Sequence, residues 1–450
     1  MENGLMDYSS GVLQPMCSPF FPQLRQLLGP FLVDKTMLIE KIVNNSLNGI
    51  VHLVLRPRRC GKTTMLLMLK SFFCIPHNNG PDPHSLFRGL DITKNSDLCQ
   101  EHIGKYAIIF CDFKSITGNS WKKMFSAFRV MVSEVYEEWY QYLEDFLCPE
   151  EKAFFNSIRF NSAPEEVWEK SLKRLSGFLA RKSGRRVMVF IDEYEVPNNY
   201  AYEHGFFDEA NMFFGRGVLP ALLKTNESLE YAVLAGVTPV AKSGWYSGLN
   251  NIQIHALHRR NSIFAGMLMF TKAEVLQLRE LSKCKLELED LKAHYNSYLA
   301  AGHISVYNPV SIVSAFEQSA LGNFWVATGE FPLSGRNFPE CNFALDDIEK
   351  LLSGFEVSFE LKNDVTFSNS LLDKNGTFTL LYYAGYLTMT PTGLFKIPNL
   401  EVMTEWVRWM TGDVNVCVEG HVTSFEKRWP NFMQQHLDPK TVPKCHEQCL

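Results

Sequence analysis

Ile50 to Leu55 read Ile-Val-His-Leu-Val-Leu, after which the chain turns abruptly basic as Arg-Pro-Arg-Arg-Cys-Gly-Lys-Thr-Thr over 56–64. A short apolar run bounded by turn signals predicts a strand buried on both faces. Met65 to Phe73 then predicts a buried helix whose N-terminus faces the basic turn. Upstream, Phe31-Leu32-Val33 precedes a helical pattern from Lys35 to about Asn45. His77 to His84, rich in Pro, Gly and Asn, reads as a loop. A second strand is predicted at Tyr106 to Phe113, and helical spacing runs over 121–147, 150–159 and 165–180. Val187 to Ile191 is a second continuous apolar run, closed by Asp192-Glu193. A helix from about Phe206 to Lys224 and a strand at Tyr231 to Leu234 follow. Strands alternating with helices predict an α/β fold with a doubly wound parallel sheet, which binds its ligand at the carboxyl ends of the strands.

From about 262 the pattern changes. Helices are expected at Lys272 to Leu281, Leu286 to Leu299 and Pro309 to Ser319. Strand-like pieces occur at Phe378 to Tyr383, Tyr386 to Thr390 and Leu394 to Ile397, the last two joined by the turn Pro391-Thr392-Gly393. The expected organisation is a leader over 1–30, a P-loop NTPase domain over 31–262, a second, mostly helical α+β domain over 263–400, and a short tail over 401–450 with a helix near 401–410. The sequence has no internal repeat and no low-complexity tract.

Composition narrows the class. Hydrophobic residues make up 46% and charged residues 21% of 450, enough apolar material for sizeable cores. The net charge of −5 gives no support to a nucleic-acid partner, although a local basic groove is compatible with it. The run Arg181-Lys182-Ser183-Gly184-Arg185-Arg186 reads as a capped helix end in preference to a nucleic-acid patch. No apolar stretch approaches the ~20 residues of a membrane span, and the first residues lack the pattern of a signal peptide. With 11 scattered cysteines, the expectation is reduced thiols in an intracellular, cytoplasmic or nuclear protein. Cys445, His446 and Cys449 cluster near the end of the sequence, but three ligands do not complete a tetrahedral metal site, and a plain tail is expected.

Chemistry concentrates at two motifs. The Gly61-Lys62-Thr63 turn after a strand is a phosphate cradle: the backbone of Arg58, Arg59, Cys60, Gly61, Lys62, Thr63 and Thr64 approaches the anion, and Lys62 neutralises the terminal phosphates. The Thr63 hydroxyl and Asp192 form the expected Mg²⁺ pair, and Glu193 is the candidate to orient or deprotonate an attacking water. A nucleoside triphosphate with Mg²⁺ is therefore the expected ligand. The usual spacing is G-x-x-x-x-G-K-[ST], and here Arg56 stands at the first glycine, so the loop must begin differently. At least one of Arg56, Arg58 and Arg59 is expected on a phosphate, the alternative being solvated groups or pairs with Glu193 or Glu195. Asp34 and Lys35 are candidates for the nucleotide entrance or, equally, a helix cap with an exposed lysine. Arg259 and Arg260 are read as surface charges rather than γ-phosphate contacts. Cys60, beside a basic loop, is either a reactive thiol or a small packing residue, and packing is the preferred reading.

RPRRCGKTT, preceded by Val33-Asp34-Lys35-Thr36, resembles the AAA-ATPase-like domain family of fungi and bacteria. Further matches run in order through Leu86-Phe87-Arg88-Gly89-Leu90, Ile191-Asp192-Glu193-Tyr194, Ser247-Gly248-Leu249-Asn250-Asn251, Tyr307-Asn308-Pro309-Val310-Ser311, Phe324-Trp325-Val326-Ala327-Thr328-Gly329 and Leu381-Tyr382-Tyr383-Ala384-Gly385-Tyr386-Leu387-Thr388. The resemblance implies a P-loop ATPase core using ATP and Mg²⁺, followed by a helical extension. Many such relatives continue into a PD-(D/E)XK nuclease; about fifty residues follow Val402 here, and nuclease activity is not carried over. Relatives often place Thr-Gly after the strand that follows the Asp-Glu strand, where this chain has Ala235-Gly236, with Thr238 nearby. Cys60 stands where they carry Phe, and Thr63 where they carry Ser. The functional expectation is a slow ATPase acting as a conformational switch toward an unidentified protein partner; the alternative is a nucleotide-binding scaffold with degenerate hydrolysis. The sequence leaves the oligomeric state open.

Overall fold

The computed structural model describes residues 21–45, 49–77, 80–239, 250–326, 345–362 and 373–412. Helix α1 (Phe21–Leu28) packs Phe21, Leu24 and Leu28 into the core, and α2 (Met37–Asn45) buries Leu38, Ile39 and Ile42. Strand β1 (Ile50–Leu55) leads through the basic turn into α3 (Lys62–Phe73). Then come β2 (Ile108–Asp112), α4 (Trp121–Leu143), α5 (Pro149–Arg159), α6 (Ser171–Ser183) and β3 (Val187–Asp192). After α7 (Val196–Glu203), β4 (Leu229–Gly236) and β5 (Ile252–His255) complete the sheet.

The five strands are parallel and lie in the order β2-β3-β4-β1-β5. The chain leaves β1, crosses to the far edge at β2, steps back through β3 and β4 to β1's side, and places β5 on β1's other edge. The reversal opens a crevice at the carboxyl ends of β1 and β4, where α/β sheets take ligands. Every residue of β3 is buried, as is all of β1 but Ile50, because helices cover both faces. The basic run after α6 is a helix end: Gly184 adopts a left-handed φ of 69° and Arg181 pairs with Glu151.

Beyond the sheet, β6 (Phe270–Thr271), α8 (Lys272–Ser282), α9 (Leu288–Tyr295), β7 (Tyr298–Ala300), β8 (Ile304–Tyr307) and α10 (Pro309–Gln318) follow, with β6, β8 and β7 forming an antiparallel sheet. The last elements are α11 (Lys374–Ala384), the hairpin β9 (Thr388–Met389) and β10 (Phe395–Lys396), and α12 (Leu400–Gly412).

Several expectations require correction. Phe378 to Tyr383 is not a strand but the middle of α11, capped by Asp373, whose carboxylate accepts from the Gly376 N–H, and stopped by Gly385 at φ 99°. The helix read over 286–299 ends at Tyr295, and its last residues belong to β7. The helix read over 206–224 is broken into a short α turn, a π-helical stretch over Asn211–Val218 and a second α turn. Helix α7 and strand β5 carry no expectation from the sequence. The Cys445 cluster, most of the Ser247–Asn251 motif and Ala327 to Gly329 lie outside the described residues. Among the described residues, no helix is long and apolar enough to cross a membrane.

Candidate functional site

Strands β1 and β3 flank β4, so the basic turn and the Asp-Glu pair emerge two strands apart at the same end of the sheet. At ~4.8 Å per strand step, side chains bridge that gap. Thr63, the second residue of α3, donates its hydroxyl to Asp192 Oδ2 at 2.6 Å, across 129 positions of sequence. Lys62 is only 5% exposed, and its ammonium donates to the carbonyls of Arg56 and Pro57 at 3.3 and 3.1 Å. The loop between them is shaped by two left-handed residues, Arg59 (φ 61°) and Gly61 (φ 85°). Turn backbones of this form gather N–H groups into an anion-binding concavity. Arg58, Arg59 and Thr63 are exposed, Thr64 is half-buried, and Cys60 is fully buried.

Asp192 is buried, which pushes its carboxyl up to about 6 against the hydrogen bond from Thr63. An oxygen pair of hydroxyl and buried carboxylate is the donor chemistry that a hard divalent cation takes. Among the described residues no cluster of three or more His, Cys, Asp or Glu forms, so phosphate and water oxygens would have to complete such a shell. Glu193 is half-buried in a left-handed conformation (φ 49°), and its N–H donates to Asp192 Oδ1 at 3.1 Å. A non-glycine residue held there at the strand end is the kind of local strain that functional turns retain.

Arg56 is not a phosphate ligand. It is 2% exposed, and its guanidinium donates to the carbonyls of Leu55, His255 and Phe264 at 2.8, 2.6 and 3.2 Å. Burial lowers its pKa to about 10. The strand ends of β1 and β5 expose carbonyls that need a donor, and the arginine fork supplies it; this explains the missing first glycine. Cys60 is a packing residue: it lies among Leu257, Met269, Tyr298, Ala300 and Val306, and burial pushes its thiol up to about 12. Arg259 and Arg260 are exposed.

Asp34 and Lys35 tie the segment before α2 to distant parts of the chain. Asp34 accepts from the Thr36 N–H and hydroxyl and from the Asp91 N–H, while Lys35 donates to Glu274 at 2.6 Å and to the Gly266 carbonyl at 2.8 Å. With Gly61, Thr64, Met65, Leu268 and Phe270, they line a mainly apolar cavity of about 80 Å³ beside the turn.

Glu195 gained no role from the sequence beyond that of a charge partner, yet it is 3% exposed at the site. Its Oε1 accepts from the Val237 N–H at 2.6 Å, and Oε2 has no hydrogen-bond partner among the described residues. Burial and the nearby Glu193 charge raise its pKa. A Cβ at Gly236 would lie 2.2 Å from Glu195 Oε2 and 2.5 Å from the Tyr194 ring. The signal was an acid three positions beyond Asp192 together with a glycine closing β4.

Residues 21–246, half of the chain, match the model of the family described as Predicted AAA-ATPase. The chain belongs to the AAA-ATPase-like family. The match takes in β1 to β4 and every site residue from Asp34 to Gly236. An uncharacterized protein in the vnfD 5′ region of Azotobacter chroococcum mcd 1 is 24% identical over 400 residues, which cover 85% of this chain and 66% of that protein. The AAA-ATPase-like chain thus spans about two thirds of that relative's length. The family's description implies nucleotide binding of the ATPase class, with ATP the implied nucleotide.

Proposed function

We propose that the protein binds Mg·ATP at the carboxyl ends of β1 and β3 and hydrolyses it slowly as a conformational switch. Lys62 and the backbone of residues 58–64 hold the phosphates, Thr63 and Asp192 hold Mg²⁺, and Glu193 orients the attacking water. The ribose and base lie toward the apolar cavity beside Gly61 and Thr64. Mg²⁺, when bound, supplies charge neutralisation to the β- and γ-phosphate oxygens. The chain's own part is positioning: a fixed N–H concavity, one buried ammonium and a carboxylate pair at the mouth.

The observation that carries this reading is the 2.6 Å contact between Thr63 and Asp192, which joins the basic turn to the end of β3. Calorimetric titration with ATP, GTP and a non-hydrolysable analogue, with and without Mg²⁺, tests it alongside phosphate release. Lys62→Ala is expected to abolish Mg·ATP binding, whereas Glu193→Gln keeps binding and stops release. Unchanged hydrolysis by the Lys62 variant would falsify the assignment.

One observation favours a second reading, nucleotide binding without turnover. The end of β4 offers Ala235 and Gly236, and the space above Gly236 is filled by Glu195 and Tyr194. Tight binding of ATP with no phosphate release by the native chain would select the scaffold.

A further inference from the structure

The outer side of the phosphate turn is held by residues far along the chain. The Arg58 carbonyl accepts from the indole Nε1–H of Trp325 at 3.0 Å and from the Asn308 side-chain amide at 3.3 Å. These two residues belong to two separate sequence motifs that the nucleotide chemistry leaves unused. Asn308 also caps α10, its Oδ1 accepting from the Val310 N–H at 3.0 Å. The Trp325 backbone N–H donates to Glu401 Oε1 at 2.6 Å, and the other Glu401 oxygen accepts from Ser311 of α10 at 2.8 Å. Glu401 is buried on α12. Gly385 closes the arrangement: its φ is 99°, a Cβ there would lie 2.9 Å from Pro57, and its carbonyl accepts from the Tyr298 hydroxyl at 2.8 Å.

The peptide between Arg58 and Arg59 is trans and planar, so its C=O and N–H point in opposite directions. Two donors fixing the carbonyl outward therefore fix the Arg59 N–H inward, toward the concavity that the left-handed Arg59 and Gly61 create. We propose that Asn308 and Trp325 are positioning residues of the phosphate turn, and that their joint at the Arg58 carbonyl carries nucleotide occupancy to α10 and α12. This rests on the nucleotide reading above. An anion drawing on the Arg59 N–H polarises the same peptide and strengthens the bonds to Trp325 and Asn308. By linkage the effect is mutual: the intact joint tightens nucleotide binding, and nucleotide tightens the joint.

The test uses the full chain and a non-hydrolysable ATP analogue with Mg²⁺, read by calorimetry. Trp325→Phe removes the indole donor and keeps a ring. Asn308→Ser withdraws the amide donor without adding a charge and keeps a helix cap. Trp139→Phe is the control, since Trp139 donates to the Ile108 carbonyl at 3.2 Å beneath the sheet, away from the turn. Each of the first two variants is expected to weaken affinity about three- to tenfold, the span of one neutral hydrogen bond, while the control binds as the native chain does. In the nitrogen–proton spectrum, the indole N–H signal lost in Trp325→Phe is expected to move downfield when nucleotide is added to the native chain. Native affinity in both turn variants, or an equal loss in the control, overturns the joint. Failure of the native chain to bind any nucleotide instead removes the reading on which it rests.

Discussion

Gly236 ends the strand between the two motif strands, and its hydrogen side faces a buried carboxylate and a tyrosine ring. The Tyr194 ring has no slack, because its hydroxyl donates to the Thr238 carbonyl. Glu195 is likewise pinned by the Val237 N–H. One added methyl must displace one of them, and overpacking of this kind costs ~1–3 kcal/mol. Gly236→Ala is therefore expected to lower the unfolding free energy by that amount, read as a lower denaturant midpoint at unchanged slope; native stability would refute the packing argument. Tyr194 and Glu195 also follow directly on Glu193, so the same substitution should move the Glu193 turn and reduce phosphate release more than nucleotide affinity. At this scale the sequence was legible where chemistry dictates residue type: the expected pair of Thr63 and Asp192 is in contact across 129 positions of sequence, with Glu193 bonded to Asp192 through its N–H. It was not legible where a side chain could face either way. Arg56 sits in a basic turn among groups suited to phosphate, yet the bare carbonyls of Leu55, His255 and Phe264 claim it.

Between elements, the most unusual contact joins β1 to β5. His52 Nδ1 lies 3.0 Å from His255 Nε2, and His255 Nδ1 lies 3.3 Å from the Ser262 hydroxyl. Burial lowers the two imidazoles to about 4 and about 3, the latter also repelled by His52 and Arg56. Both values lie below that of a free imidazole. The unfolded chain therefore takes up protons first as pH falls below ~6.5. The pair's contribution to stability is full above that pH and is lost as pH falls through the folded values. The slope is ~1.4 kcal/mol per pH unit for each imidazole while only the unfolded form is charged. Urea unfolding of His52→Leu between pH 4.5 and 6.5 should show a slope smaller than native by about one such increment; an equal slope would rule the pair out. Elements themselves were legible when their periodicity was one-sided. Helix α4 buries one face, and its start was read within a residue. Helix α11 hides its periodicity because residues Gly376 to Ala384 are buried all round, which removes the 3.6-residue alternation and leaves a run of aromatic and β-branched residues that mimics a strand. Strand β7 was absorbed into α9 because the intervening turns use Ser297 and Ala301 at positive φ, not the Asn-Gly signals that announce a hairpin.

Across the whole molecule, the phosphate turn is enclosed from three directions. The sheet lies below it, α1 and the 33–36 segment flank one side, and Trp325, Asn308 and Gly385 back the outer side. The cavity that adjoins Gly61 and Thr64 measures about 80 Å³, whereas ligand pockets hold ~300–1,000 Å³. On the proposed reading, a nucleoside enters there only if the walls separate. The sheet cannot yield, since β1 and β3 are hydrogen-bonded on both edges. The outer joint cannot yield without releasing the Arg58 carbonyl. What remains is the wall made by Phe21, Leu24 and Leu28 of α1 and by Met267, Leu268 and Phe270, tied to the 33–36 segment through Lys35 and Glu274. Opening it exposes apolar surface, so the expected apparent affinity is the intrinsic one reduced by the population of the open form. Hydrogen exchange on the full chain measures that motion. Addition of the non-hydrolysable ATP analogue with Mg²⁺ is expected to protect the amides of residues 58–64 and to change exchange in 21–36 and 264–275, while β1 and β3 stay protected throughout. Protection of the turn with no change in either wall segment would mean that the base binds elsewhere, and the cavity beside Gly61 would lose its place in the mechanism.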